Sequence, residues 1–207
     1  MKNLFTTKKL AALGMLAALS IVLALLVRFP IIPTAPFLEY DAADIPIFLG
    51  GFLYGPFAGL LLTVVVSVIQ GTTVSFGSGG VIGILMHIFA TGSYVLVAGF
   101  FYRYKRTMKG AIIAMLLGSV VMVATMIVWN IIFTPIFMGV PKSVVLGMIL
   151  PAILPFNVIK VVINSTATLI LYKRVQTLFR FILKEPKTCE TKVSGEQTPC
   201  IKEDETN

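Results

Sequence analysis

Long apolar runs, separated by short polar or proline-rich stretches, dominate residues 1–183 of this chain. The first, Leu10–Val27, ends at Arg28 and is long enough to span a bilayer core as a helix rising about 1.5 Å per residue. Phe29–Asp44, FPIIPTAPFLEYDAAD, contains Pro30, Pro33 and Pro36, which rule out a regular helix. Its Phe29, Ile31, Ile32, Phe37 and Leu38 predict a loop that packs back onto the protein. Ile45–Ile69 is broken by GGFLYGP at Gly50–Pro56, which predicts a short helix, a tight turn and a longer helix from Phe57 to about Gln70. A ten-residue helix is about 15 Å long and cannot cross the core alone. Broken backbone at that depth is tolerated only inside protein or beside a cavity. The uncharged stretch GTTVSFGSGG is read as a flexible loop.

Three further runs predict full spans: Val81–Phe101, Ala111–Phe133 with Thr134 and Pro135 as its end, and Pro151 to about Leu171. FMGVPKS is placed in the loop before the last span. The expected fold is an all-α, polytopic six-helix membrane bundle with a short second helix, occupying residues 1–183. Residues 184–207 are polar and mixed in charge, and are expected to form a disordered cytoplasmic tail.

Composition supports the membrane reading. Hydrophobic residues make up 57% of the chain and charged residues 13%, where a soluble domain carries roughly a quarter. The mean hydropathy is +0.94. A cleaved signal peptide cannot account for this, because apolar runs recur along the chain. The net charge of +8 does not point to nucleic acid, since the basic residues flank the apolar runs, where lipid head groups and topology explain them. Lys2, Lys8 and Lys9, then Arg103, Lys105, Arg106 and Lys109, then Lys173, Arg174 and Arg180 fall on one side if the broken region crosses twice. Glu39, Asp41, Asp44 and Lys142 then lie opposite, with Arg28 at the edge. This places the chain in the cell membrane as a multi-pass protein with both termini in the cytoplasm. Cys189 and Cys200, in the tail, are expected to be idle thiols.

Within the last span, PAILPFNVIKVVINSTATL, Asn157, Lys160 and Asn164 sit at i, i+3 and i+7 and share a helix face. An ammonium near mid-membrane is costly, so Lys160 between two amides predicts a polar pocket. An interhelical hydrogen-bond network is the alternative. Asn130 is expected to face the same cavity; for Trp129, packing and ligand contact stay open. Asp44 is read as a cap of the following helix. Glu39 has no such local role and is expected to reach a ligand or to pair with Lys160. His87 is read as an interhelical hydrogen-bonding residue, with no carboxylate three or four residues away. Gln70, Thr72, Thr73 and Ser75 are read as helix-end chemistry rimming the site. The first span carries small residues, Ala11, Gly14, Ala17, Ala18, Ser20 and Ala24, which suit close helix contact within or between chains. Metal-ligand spacing, phosphate-binding glycine loops and nucleophilic triads are not visible, so neither a cofactor nor catalysis is expected.

The stretches AALGMLAALSIVLA, FLEYDAADIPIFLGGFLYGPFAGLL and LPFNVIKVVIN resemble the substrate-binding S components of energy-coupling-factor vitamin transporters, specifically those for riboflavin. The resemblance covers about residues 8–175. It implies a six-helix fold with a first loop that caps a pocket open to the outside. It further implies vitamin capture without ATP hydrolysis, and association with a transmembrane coupling protein and two ATPase subunits. The implied contact with the coupling protein comes from Ala11, Gly14 and Ala18. The implied riboflavin-binding positions are Glu39, Tyr40, Asn130, Asn157, Lys160 and Asn164. An S component for thiamine, biotin or folate, a secondary transporter, and a membrane enzyme or assembly protein are the competing readings.

Overall fold

A computed structural model describes residues 7–33, 35–73 and 80–182. Expectations for Lys2, Ser75, Cys189, Cys200 and the 184–207 tail lie outside the described residues. Helix α1 (Thr7–Leu26) leads into a short antiparallel ladder of β1 (Arg28–Pro30) and β2 (Glu39–Asp41), followed by α2 (Asp44–Tyr54) and α3 (Pro56–Thr73). Then come α4 (Gly80–Tyr104), α5 (Met108–Met138), α6 (Lys142–Met148), a π-helical turn (Ile149–Ile153) and α7 (Leu154–Ile182). Among the described residues, five helical segments are long and apolar enough to cross a membrane, the last running from α6 through α7. The all-α bundle expected from the sequence is what the structure shows, with α2 as its short member.

The first loop is more ordered than its prolines suggest. Arg28 pairs with Asp41, Phe29 with Tyr40 and Pro30 with Glu39 in the ladder. Pro30 lies at a strand end, where its missing N–H costs little.

Helix α2 is 11 residues, about 16 Å, yet it has no need to reach both bilayer faces. Nine of its residues, from Asp44 to Phe52, are buried, and it packs against α1, α3, α4 and α7. It is a core helix wrapped by spanning ones, so its ends meet protein instead of lipid. Gly55 closes it with φ 103° and its N–H on the Gly51 carbonyl, and Pro56 then opens α3 at the position where proline is best tolerated. Gly51 and Gly59 permit close approach at the α2–α3 crossing, beneath Val95 of α4. Phe48 stacks on Tyr94 at 3.7 Å between centroids.

Several expected boundaries move. FMGVPKS is not all loop: Phe137 and Met138 end α5, and Lys142 and Ser143 open α6, so the last apolar segment begins at Lys142 and not at Pro151. Thr134 and Pro135 do not end α5; the helix continues to Met138, where Gly139, at φ 65°, turns its N–H onto the Pro135 carbonyl. Likewise α3 extends through Gly71–Thr73, which the sequence suggested as loop. Large apolar side chains such as Leu25, Leu116, Val120 and Leu150 point outward, as suits a lipid-facing surface.

Candidate functional site

A charged cluster at the core end of the first loop organises the site. Lys160 on α7 donates to Asp41 Oδ2 at 2.9 Å and lies 3.6 Å from Asp44 Oδ2. Asp44 is fully buried and accepts from Thr91 Oγ1 at 2.8 Å and Asn164 Nδ2 at 3.2 Å. His87 Nε2 is 3.0 Å from Asp44 Oδ1. Asp41 Oδ1 also accepts from the Ala43 N–H at 3.1 Å, which ties the carboxylate to the turn before α2.

Hydrogen bonds orient the imidazole. The Ser67 hydroxyl donates to the Thr63 carbonyl at 2.6 Å, and its oxygen lies 2.6 Å from His87 Nδ1, while Nε2 meets Asp44. The Lys160 ammonium stands against both carboxylates, and such pairing is the condition under which charged groups are buried at tolerable cost. Ligand atoms of Asp41, Asp44 and His87 come within 4.8 Å of one another, which would suit a metal ion. The Lys160 ammonium, however, already bridges the two carboxylates, so the protein supplies its own cation there.

Above this cluster lies a cavity of about 180 Å³. That is room for on the order of ten water molecules, hence for an organic molecule of several rings and not merely an ion. Asn130, Phe133, Asn157, Lys160 and Phe156 line one wall; Gln70, Gly71, Ile84 and His87 belong to the α3–α4 side; Arg28, Phe37 and Glu39 come from the first loop. The two asparagines are held by their own helices. Asn130 Nδ2 donates to the Met126 carbonyl at 2.8 Å and its Oδ1 accepts from Thr134 at 2.9 Å. Asn157 Nδ2 donates to the Ile153 carbonyl at 2.7 Å, at the end of the π-helical turn. Each amide is thereby fixed in orientation with hydrogen-bonding capacity left for an occupant.

Six residues were singled out for ligand contact, and four of them line the cavity: Glu39, Asn130, Asn157 and Lys160. Tyr40 and Asn164 do not. Tyr40 is buried and its hydroxyl donates to Asn164 Oδ1 at 2.8 Å, while Asn164 Nδ2 reaches Asp44 and the Asp41 carbonyl. Both stand behind the cluster and hold the loop to α7. Burial raises the Tyr40 phenol above its ordinary pKa, against a smaller opposing pull from Lys160, so it stays a donor.

Glu39 does not pair with Lys160; it pairs with Arg28, whose Nε donates to its Oε2 at 2.6 Å, and Asp41 is the lysine's partner. Asp44 is not a cap, since α2 has no side-chain cap, and its carboxylate instead points into the cluster. His87 does bridge helices, and its carboxylate partner is 43 residues away in sequence. Trp129 stacks on Phe89 and Phe133, one layer behind the cavity wall. Thr72 and Thr73 bond back to their own helix, as expected of helix-end hydroxyls. The residues missed as the lysine's partners, Asp41 and Asp44, carried one usable signal: a membrane-embedded lysine demands an acid, and the first loop offers three.

On α1, Ala11, Gly14 and Ala18 face outward, while Leu13, Ala17, Ser20 and Ala24 form the buried stripe. The first three are thus not spent on packing within the chain.

Residues 8–172 match the family described as ECF transporter, substrate-specific component. The chain belongs to that family. It is accordingly a multi-pass membrane protein and the substrate-specific subunit of a transporter, not an enzyme, in a family that works with a membrane and ATPase module. It is 27% identical over 186 residues to riboflavin transporter RibU of Staphylococcus aureus (strain TCH60), covering 87% of this chain and 96% of that protein. It is 28% identical over 174 residues to riboflavin transporter FmnP of Bacillus subtilis (strain 168), covering 80% and 91%. A solved structure of the S component of a bacterial ECF transporter superposes with a TM-score of 0.72 at 29% identity, covering 84% of this chain and 98% of that one.

Proposed function

We propose that this S component captures riboflavin in the cavity between the first loop and α3, α4, α5 and α7, and releases it inward when the ATPase module acts. The reading rests on the cavity's mixed wall, where Asn130, Asn157 and Lys160 stand beside Phe133 and Phe156. Riboflavin is neutral and flat, with a carbonyl-rich pyrimidine edge and a polyhydroxyl tail. The second amide hydrogen of Asn130, the Asn157 carboxamide oxygen and the Lys160 ammonium protons not given to Asp41 suit the pyrimidine edge, and the phenylalanines suit the ring faces. The near full-length similarity to two riboflavin transporters supports the same ligand.

Glu39 and Arg28 stand at the loop side of the cavity and cap it. Tyr40 and Asn164 act through the loop and not by contact. The outward face with Ala11, Gly14 and Ala18 is assigned to the transmembrane coupling protein, which joins the chain to two ATPase subunits. Basic residues Lys8 and Lys9, Arg103 to Lys109, and Lys173 with Arg174 mark the cytoplasmic side, so that both termini are inside and the cavity faces out.

Purified chain in detergent should carry or take up flavin, visible as flavin absorbance, and thiamine, biotin or folate should not compete. In liposomes it should bind riboflavin without accumulating it. Concentrative uptake without ATP by this chain alone would favour a secondary transporter instead.

A further inference from the structure

The α3 wall contains a polar group that the fold leaves unused. Gln70 lies near the end of α3 and is 9% exposed. Its Oε1 is buried without a hydrogen-bond partner, and its carboxamide bonds to no other described residue. Its neighbours behave differently. Thr63, Ser67, Thr72 and Thr73, on the same helix, all donate to carbonyls of α3. A buried amide with nothing to bond is unfavourable, and an apolar side chain of the same shape would serve the fold better. Gln70 lines the cavity, so the cavity's occupant is what can satisfy it.

Position decides which part of the occupant that is. α3 packs chiefly on α1, α2 and α4, whereas α5 and α7 pack on each other and carry Asn130, Asn157 and Lys160. Gln70 therefore faces the cavity from the side away from that wall. Riboflavin has two polar regions, the pyrimidine edge and the ribityl chain; its dimethylbenzene end offers no hydrogen bond. With the pyrimidine edge on the α5–α7 wall, the groups left to bond on the α3 side are the ribityl hydroxyls. We infer that Gln70 is a specificity-determining residue that hydrogen-bonds the ribityl chain. This rests on the riboflavin reading above and deepens it.

The test compares riboflavin with lumiflavin, the same ring with a methyl in place of the ribityl chain, by flavin fluorescence quenching on the purified full chain. Gln70→Met should weaken riboflavin binding about tenfold, the scale of one lost hydrogen bond at a buried site. Lumiflavin affinity should change less than about twofold, since it lacks the group concerned. Gln70→Glu keeps an acceptor and should retain riboflavin affinity within about threefold. Gln70→Leu stands in if the methionine variant does not fold. Unchanged riboflavin affinity, or an equal loss for both ligands, overturns the ribityl assignment while leaving riboflavin binding intact. Failure of the unsubstituted protein to bind riboflavin overturns both.

Discussion

Lys160 on α7 and Asp41 at the end of β2 are 119 residues apart in the chain and 2.9 Å apart in the fold. Through this contact the first loop is fastened over the cavity by the helix that supplies much of its polar wall. The lysine is thus both a lining residue and the counter-charge of two buried carboxylates, and its removal has two consequences.

Lys160→Ala should weaken riboflavin binding by at least about tenfold, or ~1.4 kcal/mol. It should also lower stability, by about 3–5 kcal/mol, because Asp41 and Asp44 lose their cation. Thermal unfolding in detergent separates the two effects. Adding Asp41→Asn to the alanine variant should restore part of the stability but not the affinity. A double variant as unstable as the single one would mean that the pair is not coupled.

His87 should be needed for stability as much as for lining the cavity. His87→Leu removes a donor from Asp44 and a partner from Ser67, and should cost about 1–3 kcal/mol. Combining it with Asp44→Asn should give a coupling energy of about 0.5–3 kcal/mol in a double-mutant cycle. Simple additivity would mean that His87 and Asp44 act independently.

The Arg28–Glu39 pair predicts the opposite balance. Their side chains are 20% and 33% exposed, so Glu39→Gln should change stability by only about 0–1 kcal/mol. Because the pair joins β1 to β2 beside the cavity, riboflavin should leave the variant faster, by about fivefold, the rate equivalent of ~1 kcal/mol. Stopped-flow displacement measures this, and an unchanged dissociation rate would exclude Glu39 from closing the site.

Two glycines should respond differently to substitution. A Cβ at Gly59 would collide with Val95 and the Gly51 backbone, so Gly59→Ala should destabilise the bundle by about 1–3 kcal/mol. Gly14 has no atom within 4 Å of where its Cβ would stand. Gly14→Leu should therefore fold and bind riboflavin normally yet fail to co-purify with the coupling protein and ATPases. Normal assembly would assign the coupling contact elsewhere.

The spans, the short α2 and the small-residue side of α1 were legible in the chain, since each depends on the length and order of a local run. Asn130, Asn157 and Lys160 were legible for a related reason: polar groups in apolar helices have few places to go. The charge partners were not. Glu39, Asp41 and Asp44 lie within six residues, and nothing local distinguishes the acid that meets Lys160 from the one that meets Arg28. The ladder register alone does not decide it, since Arg28 stands opposite Asp41 and diagonal to Glu39; the lysine of α7 does, by taking Asp41 while the arginine reaches across to Glu39. Asp41 is thereby buried at the inner end of the loop, while Glu39 stays at the more exposed end beside the Arg28 side chain.

Asp44 shows the same limit at a helix start. An aspartate there reads as a cap, yet its carboxylate has Thr91, His87 and Asn164 within reach from two other helices, and those bonds win. A lysine compensated by Asp41 also no longer repels a cationic vitamin, so Lys160 by itself does not discriminate against thiamine.

The order of residues alone requires that this chain crosses a membrane several times, that one crossing is broken, and that a polar face lies on its last helix. Hydrophobic run length and helical period are local quantities, and they carry that much. It takes the folded bundle to set Asn157 and Lys160 on the cavity while Asn164, one turn further along, is taken by Tyr40 and Asp44. That division depends on how deeply a loop more than a hundred residues away folds into the bundle, which is set by packing and charge compensation and not by any local pattern.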